Sequence, residues 1–193
     1  MSVSRETVLL FLVGCAFRVV LGQPPVRSQV ETALDSWSDR TEARDAVLKV
    51  TGDPVPVLGS IAGSKDSPDT RRFHAIALLA TFKTEDSEHA LNRLAEDLNP
   101  KCRCAALRSL AELETRRALP VLIRKLDDQA VCMENASTDP PEGRAVYVSD
   151  EAVRLLEQIT GQSFAPGWVK GHRTTQPWRK WWAEQRVSGE GQK

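Results

Sequence analysis

A helical motif begins at Asp69-Thr70-Arg71-Arg72-Phe73-His74-Ala75 and continues to Leu79. The same pattern returns in Pro100-Lys101-Cys102-Arg103-Cys104-Ala105-Ala106, which continues to Leu110, so that Arg103 stands where Arg72 does. A third copy of the motif follows in Asp150-Glu151-Ala152-Val153-Arg154-Leu155-Leu156. Internal similarity with a period of about 30 residues is typical of helix pairs stacked in one array.

A second helix follows each of the first two copies. Residues 90–98 and 118–126 match each other, with Ala first and Leu at the later apolar positions. Alanine in mid-helix lets antiparallel helices approach closely, and leucine one turn later fills the space between layers. Each pair of helices is too small to bury its own apolar stripe, so neighbouring pairs must stack. The sequence therefore predicts an all-α fold, an α-solenoid of about three to four antiparallel helix pairs. A more degenerate pair precedes them at Val30–Trp37 and Glu42–Val50.

These segments resemble the HEAT-repeat family, which has an armadillo-type fold. One part of the resemblance is the pattern Arg-x-x-Ala-x-x-x-Leu, found at Arg72–Leu79 and Arg103–Leu110. The other is Ala118-Leu119-Pro120-Val121-Leu122-Ile123-Arg124-Lys125-Leu126-Asp127-Asp128, a typical ending of the second helix of a repeat. The resemblance implies a solenoid and specifies function poorly.

The resemblance becomes weaker outside residues 69–128. It is fair for residues 149–161 and weak before Ala62. In the third copy Ser149 stands at the position of the two arginines, which weakens any Arg–Asp ladder between repeats at that point.

The helical period fails between residues 127 and 149. Residues 130–134 and 144–148 are strand-like, and a polar stretch separates them. This pattern predicts a small β-hairpin inserted between two helices of the solenoid. A long insertion without helix is often functional, and the alternative is a tolerated excursion of the surface.

Tryptophan is concentrated near the C-terminus, where residues 168–186 are expected to form a cap over the end of the stack. Trp178, Trp181 and Trp182 share one helical face. Exported bacterial HEAT-like proteins have similar C-termini. Local Lys and Arg beside these indoles offer a second interpretation, peripheral contact with a membrane surface. Residues 187–193 are expected to be a disordered tail.

Residues 1–22 have the pattern of a signal peptide, with Arg5 before a short apolar core. Two processing sites compete, because Leu12-Val13-Gly14-Cys15 resembles a bacterial lipobox and the segment before Gln23 suits ordinary cleavage. Cys15 is accordingly a candidate lipidation site. The alternative is a buried first helix. We expect an exported protein of the periplasm or cell envelope, with a lipid anchor as one option.

Export changes how the remaining cysteines are interpreted. Cys102 and Cys104 are close together on a predicted helix and point away from each other, so they cannot pair together. Either could pair with Cys132 in an oxidising compartment. The alternative is that all three are small buried side chains.

The composition argues against several classes of function. The 26 Lys and Arg residues balance the 26 Asp and Glu residues, so there is no long-range attraction for nucleic acid. No phosphate-binding loop or nucleophile elbow occurs. His74, His89 and His172 are scattered, and we expect no metal, no cofactor and no catalytic residue.

We therefore expect a non-catalytic, exported scaffold that binds another protein, and the sequence does not name the partner or the oligomeric state. Candidate interaction residues are Arg93, Arg124, Met133 and Tyr147. An enzyme or enzyme accessory of the HEAT-like lyase type is the alternative. A lipoprotein associated with the envelope or membrane surface is the second alternative.

Overall fold

A computed structural model describes residues 24–113, 117–136, 144–164, 168–169 and 172–187. The described part is mostly helical. Its elements are α1 (Val26–Asp35), α2 (Arg40–Val50), α3 (Val55–Gly63), α4 (Asp69–Phe82), α5 (Glu85–Leu94), α6 (Pro100–Glu112), α7 (Ala118–Arg124), a 3-10 turn (Lys125–Asp127), β1 (Val131–Ala136), β2 (Arg144–Tyr147), α8 (Val148–Thr160), β3 (Trp168–Val169), β4 (His172–Arg173) and α9 (Gln176–Val187). The predicted all-α solenoid with a small inserted hairpin is confirmed.

Successive helices pack in two rows. Helices α4, α6 and α8 lie side by side, while α3 packs against both α4 and α5, and α7 packs against α6 and α8. One continuous apolar core runs through the stack, and Ala75, Ala106 and Ala152 are each completely buried in it. These are the mid-helix alanines of the three copies of the motif, so close approach of the helices explains the repeated small residue.

Helix α3 extends the repeat array further toward the N-terminus than the sequence motif does. Pro56 lies in its first turn, where a missing N–H costs no hydrogen bond. A Cβ added at Gly59 would lie 3.7 Å from the Cβ of Ala90, so this glycine faces α5 at close range. Leu58 and Ile61 are fully buried. Proline and glycine within the same segment make its helical pattern hard to recognise in the sequence.

In each of the first two copies, the motif arginine makes hydrogen bonds to the ends of two successive repeats. Arg72 donates from Nε to the Ala62 carbonyl at 2.7 Å and from Nη2 to Asp97 at 2.5 Å. Arg103 donates to both carboxylate oxygens of Asp128, at 2.7 and 3.0 Å, and to the Asp97 carbonyl at 2.8 Å. Each arginine therefore binds the end of its own repeat and the end of the preceding one.

The third copy lacks this arrangement. Ser149 occupies the arginine position and accepts a hydrogen bond from the side chain of Gln129 at 3.2 Å. Its backbone N–H donates to the Asp128 carbonyl at 2.9 Å. The ladder between repeats ends before α8, as the serine at this position predicts.

The hairpin pairs β1 with β2 in an antiparallel register. Val131 lies opposite Tyr147 and Met133 lies opposite Val146, with irregularities in the register along the strand. At the base, the Val148 N–H donates to the Ala130 carbonyl at 3.0 Å. The ends of the strands differ slightly from the predicted ones, and α8 begins directly at the end of β2.

The C-terminal segment packs against the last helices of the stack. Trp178 is 1% exposed, and its ring meets Phe164 and Trp181 in edge-to-face contacts. Arg173 pairs with Glu157 of α8 at 2.6 Å. The indole stripe predicted for α9 is therefore directed at least partly into the protein, through Trp178.

Several predictions fall outside the described residues. The signal peptide at 1–22 and Cys15 lie there, as do residues 188–193 of the tail expected at 187–193. The first residue of that expected tail, Val187, is instead the last residue of α9. Within the ranges described, no helix is long and apolar enough to cross a membrane.

Candidate interaction groove

A groove of about 580 Å³ lies over α4 and α6, beside β1. Its lining comes from three helices and one strand: Arg40, Phe73, His74, Ala77, Lys101, Cys104, Ala105, Arg108, Ser109, Glu112, Cys132, Met133 and Glu134. Volumes of this order are typical of ligand clefts, which combine an apolar floor with a few polar groups.

Equivalent positions of consecutive repeats form much of the floor. Phe73 and Ala77 of α4 correspond, in the alignment that places Arg72 on Arg103, to Cys104 and Arg108 of α6. Positions separated by about one helical turn lie on one face, so each helix contributes one stripe to the groove. The repeat itself thus creates the floor, and the differences between copies give it its chemistry.

A disulfide joins the floor to the inserted hairpin. Cys104 of α6 and Cys132 of β1 are bonded, with their Cα atoms 6.3 Å apart. Both residues are only 2% exposed. This bond resolves the alternatives left open by the sequence, because Cys104 pairs with Cys132 and Cys102 remains a free, buried thiol. We call residues Cys132–Glu134 the hairpin wall, since they line the groove on the side of β1.

Arg108 connects the groove, the hairpin wall and α8. Its Nε donates to Glu151 at 2.6 Å, and its Nη2 lies 3.8 Å from the sulfur of Met133. Glu151 is 2% exposed and also accepts hydrogen bonds from Arg154 at 2.7 and 3.1 Å. Burial alone would raise the pKa of the Glu151 carboxyl, but the hydrogen bonds and charges of Arg154 and Arg108 outweigh it and hold the pKa below its ordinary value.

The far side of the groove is closed by contacts from the first helix pair. Arg40 at the start of α2 donates to Glu112 at the end of α6 at 2.5 Å. Trp37 stacks on His74 with ring centroids 4.4 Å apart. His74 Nδ1 lies 2.9 Å from the Leu34 carbonyl, which fixes the plane of the imidazole. The degenerate first pair therefore helps to shape this surface.

The chemical groups in the groove are suited to binding. Arg40 and Arg108 are held in ion pairs, and the two cysteines are bonded to each other. The Ser109 hydroxyl is buried and donates to the Ile76 carbonyl at 3.3 Å. The accessible groups include a phenyl ring, a thioether exposed at 37%, the ion-paired Arg40 and Arg108, and rim charges such as Lys101 and Glu134. Such a surface offers apolar contact area with charges at its edge.

The four residues proposed from the sequence do not form one site. Met133 lines the groove, and Tyr147 lies half-buried at the end of β2, where its N–H donates to Asp150. Arg93 lines a different cleft, and Arg124 is exposed at the end of α7 with a 3.4 Å contact to the Pro120 carbonyl.

That second cleft, of about 500 Å³, lies between α3 and α5. Val55, Gly59 and Ala90 provide its apolar surface, and Arg93 and Asp86 its charges. It contains Arg93, one of the four residues proposed from the sequence. The hairpin instead extends the opposite row, through the bond between β1 and α6.

Sequence reasoning missed most of the groove, including Phe73, Ala77 and Arg108. The repeat offset is a signal that could have found them, because it places them at equivalent positions beside Cys104. Within the described ranges, no group of three or more His, Cys, Asp and Glu residues is arranged to hold a metal ion.

Comparison with known families supports the repeat assignment. A family model of HEAT repeats matches residues 55–132. The match begins at the first residue of α3 and ends at Cys132, so it contains the groove floor on α4 and α6 and both bonded cysteines, Cys104 and Cys132. No curated protein matches the chain, and no solved structure matches it.

Proposed function

We propose that this chain, whose residues 55–132 are HEAT repeats, is an exported, non-catalytic scaffold that holds a segment of another protein in the groove. HEAT repeats commonly mediate contacts between proteins, and that general role applies to the repeats here. The proposal adds a location for the contact and a compartment for the protein.

The observation that carries the proposal is the disulfide between α6 and β1. A solenoid gains a broad surface from its stacked helices, and here the insertion adds a wall to one part of that surface. The bond fixes the wall beside Phe73, Ala77 and Ala105. A preformed groove binds with less loss of conformational freedom than a mobile loop would, so fixing the wall favours affinity.

The same bond supports export. Structural disulfides form and persist in oxidising compartments and are rare in the cytosol, where thiols are kept reduced. A buried disulfide in a chain that opens with a segment resembling a signal peptide fits a protein that folds after leaving the cytosol.

Site-specific photo-crosslinking in the native cells tests the location. A photoreactive phenylalanine analogue replaces Ala105 on the groove floor, and a matched control replaces Lys49, which is exposed on α2 and lines neither cleft. We expect a discrete adduct from position 105, none from position 49, and loss of the adduct when Ala77→Trp fills the groove. Equal adducts at both positions, or an adduct that survives Ala77→Trp, would contradict the proposal. With the analogue also placed at Arg93 in a third variant, an adduct there and none from position 105 would move the contact to the second cleft.

A further inference from the structure

We propose that oxidation of Cys104 and Cys132 assembles the groove. A chain that folds without the bond would form its helices but leave the hairpin wall detached from α6. The inference rests on the proposed function, because it states the condition under which the groove can bind a partner.

The hairpin is attached to the solenoid at two levels. At its base, backbone hydrogen bonds from Val148 to Ala130 at 3.0 Å and from Ser149 to Asp128 at 2.9 Å hold the ends of the insertion. Further out, β1 meets α6 through the disulfide and through the contact of 3.8 Å between Arg108 and the Met133 sulfur. A thioether is a weak acceptor. Besides the packing of Cys132 and Val146 in the apolar core, the disulfide is therefore the main attachment at this level.

The strand itself offers little resistance to movement. Its pairing with β2 shifts register between Val131 and Met133 and again between Met133 and Ala136. Register irregularities interrupt the ladder and leave residues unpaired. A two-stranded hairpin is marginally stable in water on its own, so this one depends on its attachment to the core, where Cys132 and Val146 are buried. Loss of the bond should therefore free the wall while the base stays in place.

The chemistry of assembly balances with a disulfide-bearing oxidant. The two thiols of Cys104 and Cys132 lose two electrons and two protons and form one S–S bond, while the oxidant's disulfide is reduced to a dithiol. Burial of the finished bond, at 2% exposure of either cysteine, limits later attack by reductants. The state of the groove is thus set by the compartment in which the chain folds.

Cys102 does not compete for this bond. It is completely buried and is close to Cys104 on α6, at a spacing where side chains point to nearly opposite sides of the helix. Its pKa is raised to about 11, chiefly by burial, which leaves little thiolate to attack the disulfide near neutral pH. It provides a matched control, since both Cys102 and Cys132 are buried cysteines on or beside α6.

Hydrogen–deuterium exchange of the full chain, in a Cys15→Ser background, tests the proposal without any partner. In Cys132→Ala we expect amides of β1 and β2 to exchange about tenfold faster or more, because local opening no longer requires breaking a covalent bond. Amides of α3–α5 should keep their rates. In Cys102→Ala the hairpin amides should exchange as in the parent protein.

Two outcomes of the exchange experiment would overturn the proposal. One is unchanged protection of β1 in Cys132→Ala. The other is acceleration spread evenly over α3–α5 and the hairpin, which would make the bond a general stabiliser of the fold. Crosslinking from position 105 separates this result from the proposed function. An adduct that persists in Cys132→Ala contradicts groove assembly alone, and absence of any adduct in the oxidised protein contradicts the scaffold proposal alone.

Discussion

Arg103 and Asp128 form a two-point ion pair that closes one repeat, while a third hydrogen bond from the same guanidinium reaches the last turn of the repeat before it. Arg72 and Asp97 make the equivalent pair in the preceding repeat. The arginine of the repeat motif thus has a physical role, since it binds two successive helix ends at once.

Replacing Arg103 with methionine should lower the free energy of unfolding by about 2–4 kcal/mol. The change removes the guanidinium from the carbonyls of Asp97 and Leu98 and leaves the partly buried Asp128 carboxylate with only the Ala130 N–H as donor. Urea unfolding followed by circular dichroism measures the change. Arg117→Met is the matched control, since its pair with Glu88 has an arginine that is 68% exposed and should contribute less than about 1 kcal/mol. Equal losses in the two variants would show that the Arg103 contacts add nothing beyond a surface ion pair.

The lowered pKa of Glu151 predicts a dependence of stability on pH. A carboxyl whose pKa is lower in the folded protein adds stability above its unfolded value, near 4.5, and loses it as the pH falls through the folded value. Glu151→Gln keeps the shape and removes the charge. The variant should be less stable than the parent at pH 7, and the difference should shrink between about pH 5 and pH 3. Urea unfolding across this range measures it, and a difference that stays constant would contradict the predicted role of the charge.

Truncating Trp178 should destabilise the C-terminal segment. Its ring is buried against Phe164 and Trp181, so Trp178→Ala should cost about 3–5 kcal/mol through lost contacts and an unfilled cavity. Trp182→Ala, at a partly exposed position of the same helix, should cost clearly less. Thermal unfolding compares the two variants. A larger loss of stability for Trp182→Ala would show that the buried face of α9 is assigned incorrectly.

The end of α8 depends on a left-handed backbone conformation. Gly161 has a φ of +68°, and a Cβ at this position would meet no atom within 4 Å. Gly161→Ala should therefore cost about 1 kcal/mol through backbone strain alone. Gly52→Ala is the control, because it also has open space around an added Cβ and has no positive φ. That control should keep or slightly increase the unfolding temperature, and a loss equal to that of Gly161→Ala would contradict the backbone explanation.

The sequence predicted the array and its insertion because both depend on local patterns. The mid-helix alanines and the arginines repeat at a fixed offset, and the failure of that period after Asp127 marks the hairpin. Helix α3 was not predicted because Pro56 and Gly59 are residues that usually interrupt helices. In the folded protein both residues suit their positions.

The groove was not predicted, because it depends on which row of helices the hairpin joins. Met133 was selected for lying in the insertion, and it does line the groove. Arg93 was also selected, and it lies in the second cleft instead. Sequence spacing left the pairing of Cys132 undecided, and the three-dimensional proximity of Cys104 decides it.

The arginine ladder ends at Ser149, so the boundary in front of α8 has fewer side-chain connections than the boundaries between the earlier repeats. Helices α3 to α7 are fastened by guanidinium groups that each bind two helix ends. Helix α8 instead joins them through side-chain packing, the Arg108–Glu151 pair and hydrogen bonds at its first turn. Segments with fewer cross-links open at lower free energy than the rest of a protein. Force or heat applied to the chain would therefore be expected to part it first in front of α8, next to the hairpin.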